Sequence, residues 1–272
     1  MADETRADET KPAEERQPSD RLVLLGTGTC QLGGGRRASS VLLELGDLRL
    51  VYDLGHGIAD RLAEIGLRQD DVRHVVISHF HPDHVSDLVP YLHGAAWSQV
   101  DPRTVDLHLY GPPGLQTLIE SLFQVFGAGV LERDAWRVHL HEVTADRLEI
   151  EGRTFEWCDL PPAGNRGLGF ELHGRRYGLT GDSSFHRQEV EFLAGRDLAV
   201  FDSGHLTDDE IVDLAAATGV RRLVASHVYR PLDLPVLQGR AEARGYGGRL
   251  EMGEDLMEIA LPAPAAAKLR TP

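Results

Sequence analysis

The sequence predicts an α/β protein on the strength of three observations. Short β-branched apolar runs alternate with segments of helical periodicity, and ligand-type polar residues stand directly after three of those runs. In addition, 42% of the 272 residues are hydrophobic, which is ample for one large core. In chain order, apolar runs bounded by turn-forming residues predict strands at about 22–25, 40–45, 48–52, 74–78 and 106–110. Helical patterns fall near 57–65, 84–92 and 113–126, and a strand-rich middle follows at about 137–180. Helices near 186–194 and 207–218 then alternate with strands near 198–202 and 222–226, and the last strand falls at 256–261. Alternation of this kind favours α/β over separate α and β blocks.

Ser78-His79-Phe80-His81-Pro82-Asp83-His84 is the most informative stretch. It places three imidazoles and a carboxylate within six residues, just after the strand-like run His74-Val75-Val76-Ile77-Ser78. Extended positions two apart project to one side, which brings His79 and His81 together before Pro82 turns the chain and Asp83 and His84 enter a helix. One ion can take the first pair and a second ion the other. Mixed imidazole and carboxylate donors suit zinc, with manganese or iron as alternatives, whereas an all-oxygen set points to magnesium or calcium.

Two further residues repeat that placement. Arg176-Tyr177-Gly178-Leu179-Thr180-Gly181 ends in Asp182, and Arg222-Leu223-Val224-Ala225-Ser226 ends in His227. Taken singly, Asp182 reads equally well as a helix cap and His227 as a packed histidine. Sites collect at strand ends along one edge of an α/β sheet, so together with the 79–84 loop both become candidate ligands.

His79-x-His81-x-Asp83-His84, the Gly-Asp at 181 and 182 and the strand-end His227 resemble the metallo-β-lactamase superfamily, and most closely its tRNase Z branch and phosphodiesterase relatives. The resemblance begins at Leu24-Leu25-Gly26-Thr27-Gly28-Thr29, passes through Val51-Tyr52-Asp53-Leu54-Gly55-His56-Gly57 and ends at Ser226-His227-Val228. It implies a four-layer αβ/βα sandwich with a dinuclear site: His79, His81 and a bridging Asp182 for one zinc ion, and Asp83, His84, Asp182 and His227 for the other. It also implies that His205, 22 residues before His227, acts beside the metals. One histidine of the family pattern is missing, because the loop Pro161-Pro162-Ala163-Gly164-Asn165-Arg166 before the Gly-aromatic strand contains none. The expected consequences are a weak, exchangeable first site or a single working ion. His56 is a further candidate for reaching the metals, while His139, His141 and His173 read as packed or exposed residues.

The chain ends fall outside the expected fold. Residues 1–20 form an acidic, disordered tail with a near-repeat, Ala2-Asp3-Glu4-Thr5 and Ala7-Asp8-Glu9-Thr10. Residues 263–272 form a flexible C-terminal tail, which leaves 21–262 as one hydrolase domain. No apolar h-region and no 18-residue apolar run occur, so neither export nor a membrane span is indicated. Cys30 and Cys158 form no paired framework, read as small core residues and fit a reducing cytoplasm.

Charge bears on the substrate. The net charge is −15, and the first 20 residues hold seven acids against three bases, which leaves −11 on the rest. That balance opposes non-specific binding to a polyanion, so long nucleic acid is an unfavourable partner and a small molecule the expected one. The span 111–143 lacks the base-rich arm that tRNase Z enzymes carry for tRNA. A homodimer is compatible with the resemblance, although no apolar stripe argues for it.

The expected chemistry is metal-assisted hydrolysis, the ion lowering the pKa of a water molecule from roughly 16 to about 7 in the best case. Asp83 orients or deprotonates that water, and His205 protonates the leaving oxygen, its imidazole held by Asp202. Asp53 is expected to hydrogen-bond the backbone of the metal loop. The Gly26-Thr27-Gly28-Thr29 turn and Gly33-Gly34-Gly35 are weak candidates for offering N–H groups to a phosphate. Arg166 is a candidate substrate contact. The leading function is hydrolysis of a small phosphodiester or cyclic phosphate. The alternatives are an ester, lactone or sulfate hydrolase, a tRNA 3′-processing endonuclease, and a non-catalytic member with an impaired metal site.

Overall fold

Two seven-stranded sheets face each other in the computed structural model, which describes residues 20–261 apart from 33, 162 and 163. The strands are β1 (Arg21–Gly26), β2 (Ser40–Leu45), β3 (Leu48–Tyr52), β4 (His74–Val76), β5 (Leu107–Gly111), β6 (Val138–Glu142), β7 (Arg147–Ile150), β8 (Arg153–Leu160), β9 (Asn165–Leu172), β10 (Arg175–Leu179), β11 (Leu198–Asp202), β12 (Arg222–Ser226), β13 (Arg249–Met252) and β14 (Met257–Ala260). Helices α1 (Ile58–Glu64), α2 (Pro82–Val85), α3 (Leu88–Trp97), α4 (Leu115–Phe126) and α5 (Ala128–Leu131) accompany the first sheet. Helices α6 (Arg187–Leu193), α7 (Asp208–Thr218) and α8 (Leu234–Glu242) accompany the second.

The two sheets are built alike. In the first, ordered β14-β1-β2-β3-β4-β5-β6, three antiparallel pairings are followed by three parallel ones. The second, ordered β7-β8-β9-β10-β11-β12-β13, repeats the pattern. Parallel strands need crossovers, and those crossovers carry the helices that cover each sheet's outer face.

Strand alternation explains the layers. On β11, Leu198 and Val200 point into the core between the sheets, while Ala199 and Phe201 point outward under the helices. Phe155, Trp157 and Leu168 of the second sheet meet Leu43, Leu50 and Val76 of the first in that central core. Ile58, Leu92 and Ile119 pack outside the first sheet, and Leu193, Ile211 and Leu237 outside the second. The result is the four-layer αβ/βα sandwich. Trp157 is fully buried at its centre, so Trp157→Ala would cost about 3–5 kcal/mol.

Several elements differ from expectation. The helix expected at 84–92 is divided into α2 and α3, because Asp87 donates its amide to the Leu54 carbonyl and accepts from the amide of Ala59 at the start of α1. β4 stops at Val76 because the Ser78 amide turns to the Asp53 carboxylate. α8 and β13 had no counterpart in the sequence reading; α8 contains Gly239 and Pro235, and in β13 only Leu250 is buried. Asp20, assigned to the acidic tail, is tied to the first sheet: its carboxylate accepts from the Gly46 amide and its carbonyl from that of Leu261. The remaining residues of both expected tails lie outside those described.

Candidate metal centre

The loop after β4 is held by one buried acid. Asp53 follows β3 with a left-handed φ of 65° and is 1% exposed. Its carboxylate accepts from the Ser78 amide at 2.7 Å and the Ser78 hydroxyl at 2.8 Å, and meets His84 Nδ1 at 2.8 Å. These bonds assign the tautomers. His84 donates from Nδ1 to Asp53, which leaves its Nε2 lone pair free. The Ser78 hydroxyl proton goes to Asp53, so its oxygen accepts from His79 Nδ1 at 2.9 Å and leaves His79 Nε2 free as well.

Asp182 arrives from the second sheet, after β10. Its neighbour Gly181 has φ 64°, and a Cβ there would meet Asn165 Oδ1 at 2.7 Å and Tyr52 Oη at 2.9 Å, so only glycine fits. The Asp182 carboxylate lies 2.9 Å from His84 Nε2, 3.2 Å from His227 Nε2 and 3.4 Å from His79 Nε2. His227, just past β12 with φ 52°, also lies 3.3 Å from the Asp83 carboxylate. Ligand-type atoms converge in three overlapping groups: His79, His84 and Asp182; Asp83, His84 and His227; and Asp182, Asp202, His205 and His227. His81 stands at the rim, its side chain 61% exposed and its Nδ1 3.6 Å from Asp182, outside all three groups.

The donor set fits a divalent cation. His79 Nε2, His84 Nε2 and Asp182 Oδ1 are buried without a hydrogen-bond partner among the described residues, an expensive state for polar atoms unless something else satisfies them. Four carboxylates, Asp53, Asp83, Asp182 and Asp202, are buried together here with imidazoles rather than Lys or Arg as counter-groups. Buried charge of one sign demands compensation. The demand appears in the titrations. Burial favours the neutral acid, but the bond from His227 and the charges of His84 and His227 hold Asp83 down at about 2. Against burial, His79 and His84 hold Asp182 far below the carboxylate range. Burial lowers His227, yet Asp202, Asp83 and Asp182 push it up to about 9, and Asp53 and Asp182 raise His84 in the same way. Carboxylates that pull protons onto nearby imidazoles would equally take a metal ion.

His205 flanks the centre. Its Nδ1 bonds Asp202 at 2.7 Å, and that bond, more than burial opposes it, raises the imidazole's pKa. Asp202 is itself fixed by the amides of Ser183 and Gly204. The His205 ring stacks on His227 at 5.1 Å, with Tyr229 edge-on at 5.8 Å. Thr207 and Glu210 form a capping box that starts α7 two residues later and fixes the turn carrying His205.

Some expectations do not match the structure. His56 lies in a separate cleft with Arg36, Arg37 and Arg61 and belongs to none of the ligand groups. The Thr27 and Gly28 amides already donate to Asp255 and the Arg37 carbonyl, so these two N–H groups of that turn are not free for a phosphate. Cys30 is exposed beside Tyr229 and does not fill the core, whereas Cys158 is half-buried and packs against the core outside the second sheet. Ser78, Asn165 and Tyr229 were not identified from sequence. The one available signal was a hydroxyl immediately before the first ligand-type histidine.

A family model described as a beta-lactamase superfamily domain matches residues 52–228, so the chain belongs to that family and is a metallo-β-lactamase superfamily hydrolase. That superfamily is metal-dependent. The chain is 24% identical over 285 residues to the Ribonuclease Z of Mycolicibacterium gilvum, an alignment covering 91% of this chain and 98% of the relative. Its fold is similar to that of the metallo-beta-lactamase fold protein YhfI from Bacillus subtilis, with TM-score 0.71 and 17% identity over 89% of this chain and 99% of that one. Human tRNase Z, short form, is similar at TM-score 0.67 and 19% identity, with the same coverage. Among the described residues, no helix is long and apolar enough to cross a membrane.

Proposed function

We propose that this protein is a zinc-dependent phosphodiesterase acting on a small phosphodiester or cyclic phosphate. His79, His81, Asp83, His84, Asp182 and His227 are the proposed ligands, and Asp83 and His205 the proposed catalytic groups. The observation that carries the reading is the His205–Asp202 pair stacked against the ligand cluster, because a proton donor beside a cation site is what expulsion of an alkoxide requires. A divalent ion held by these residues supplies Lewis acidity to a water molecule and to the phosphoryl oxygen.

The chain's own groups provide the rest. Asp83, ionised at any working pH, orients the attacking water by accepting its hydrogen bond. Asp202 holds His205 through Nδ1, leaving Nε2 to protonate the departing oxygen as the bond from phosphorus breaks. The water's proton passes to solvent. The relative named Ribonuclease Z supports phosphodiester chemistry, while the net charge of −15 favours a small substrate over RNA. The free, partly exposed cysteines favour a reducing, cytoplasmic setting.

The test uses zinc- or manganese-loaded protein and chromogenic diesters, monoesters and lactones. Diesters should be hydrolysed fastest. His205→Gln should slow a diester with an alkoxide leaving group about 100-fold or more, and one with a nitrophenolate leaving group far less. Preference for lactones, or cleavage of precursor tRNA at rates matching the small diesters, would overturn the reading.

A further inference from the structure

We propose that the recess beside His81 receives the arm of the substrate that is not expelled, and that Arg166 there binds an anionic group, carboxylate or phosphate, carried on that arm. This rests on the phosphodiesterase reading above. The cluster lies between two recesses. One, of about 340 Å³, is bordered by Tyr229, whose ring meets that of His205, so the leaving oxygen departs on this side. The other, of about 380 Å³, opens beside His79 and His81 and is walled by Phe80, Pro112, Pro113 and Arg166. A diester has two arms, and only one of them leaves past His205.

The arginines bordering the two recesses are not equivalent. Arg36 donates to the Gly253 carbonyl at 2.7 Å and to the Thr27 hydroxyl. Arg230 pairs with Asp208 at 2.7 Å and donates to the Leu206 carbonyl. Arg166 donates no side-chain hydrogen bond among the described residues; its Nε is buried without a partner. Its nearest carboxylate, Asp159, lies 3.6 Å away with 66% of its side chain in solvent, too far to satisfy a donor. A guanidinium with unused donors matches a carboxylate or phosphate in a two-pronged contact.

Arg166 is also rigidly placed. Its carbonyl accepts from Tyr52 Oη at 2.5 Å, and its neighbour Asn165 donates to the Asp182 carbonyl. The backbone that carries the cation is therefore fixed relative to the ligand cluster. Opposite it, Phe80 lies against Gly114, where an added Cβ would come within 3.2 Å of the ring, and with the two prolines gives a stiff apolar wall for the carbon part of the arm.

The experiment compares two p-nitrophenyl phosphodiesters with the same leaving group on the metal-loaded enzyme: one retaining an ethyl arm, one a 2-carboxyethyl arm. Wild type should prefer the carboxyethyl diester about tenfold or more in kcat/KM, and Arg166→Gln should bring that ratio to near one through KM, with Arg166→Lys between them. An unchanged ratio in Arg166→Gln, or a preference that follows a carboxylate placed on the nitrophenol instead, would overturn the proposal. Calorimetry with ethyl phosphate and 2-carboxyethyl phosphate separates this from the catalytic reading. If no diester is hydrolysed, the catalytic reading falls, while Arg166 is still decided by whether Arg166→Gln weakens binding of the carboxyethyl compound alone.

Discussion

Two groups of histidines in this chain have opposite designs. Around Asp182, the imidazole rings also lie 4.2 to 5.4 Å apart, but they face buried carboxylates and several ring nitrogens are left without partners. On β4, β5 and β6, by contrast, His74, His108, His139 and His141 stack on one another and on Tyr110, with ring centroids 4.4 to 6.4 Å apart. There His108 Nδ1 meets His141 Nε2 at 3.0 Å, and the acids Asp106 and Glu151 touch only the outer rings. A cleft of about 600 Å³, larger than either recess beside the ligand cluster, borders His74 of this second group and no residue of the first. Neither histidine count nor cavity size therefore marks a metal centre; buried carboxylates at strand ends do.

The largest expected effect comes from the shared carboxylate. Asp182→Ala should lose bound metal and reduce turnover more than about 100-fold, whereas His108→Gln and His141→Gln should keep both. Elemental analysis beside the diester assay checks this, and a metal-retaining Asp182→Ala would remove the distinction between the two groups. Next comes the acid behind the loop. Asp53→Asn should weaken metal affinity about 10- to 100-fold, because the amide no longer enforces the His84 tautomer; a competition titration against a chelator measures it.

The smallest effect belongs to the stacked histidines and appears in stability. Burial, aided by the charge of His108, pushes His74 down to about 4. Its neutral form is then favoured in the folded state, so the stabilisation is complete above pH 6.5 and is lost as the pH falls from there through 4. Arg73 and His108 oppose its protonation, and Glu151 partly offsets them. His74→Gln should flatten the acid limb of a thermal-melt series by about 1 kcal/mol, with equal slopes refuting the assignment.

What could be read from the chain was what local spacing encodes. Asp182 and His227 each followed an apolar run, and the 79–84 loop carried its donors within two turns of backbone. The role of Ser78 could not be read, because it depends on a proton given to Asp53, whose left-handed backbone aims its carboxylate at a loop 25 residues away. His81 shared the strand spacing of His79 and its ring does lie 4.4 Å from that of His79, although Pro82 starts α2 there and leaves it at the rim. α8 escaped because Pro235 and Gly239 interrupt a short apolar stripe of Leu234, Leu237 and Ala241, and β13 because only Leu250 is buried. Cys30 looked like a core residue only while its neighbours in space were unknown.

The repeated three-antiparallel, three-parallel pattern has one last consequence. His79, His81, Asp83 and His84 hang from one sheet, and Asp182, His205 and His227 from its counterpart. A cation held by the proposed ligands would act as a rivet between the two sheets, and its donors are not all present until residue 227 has been added to the chain.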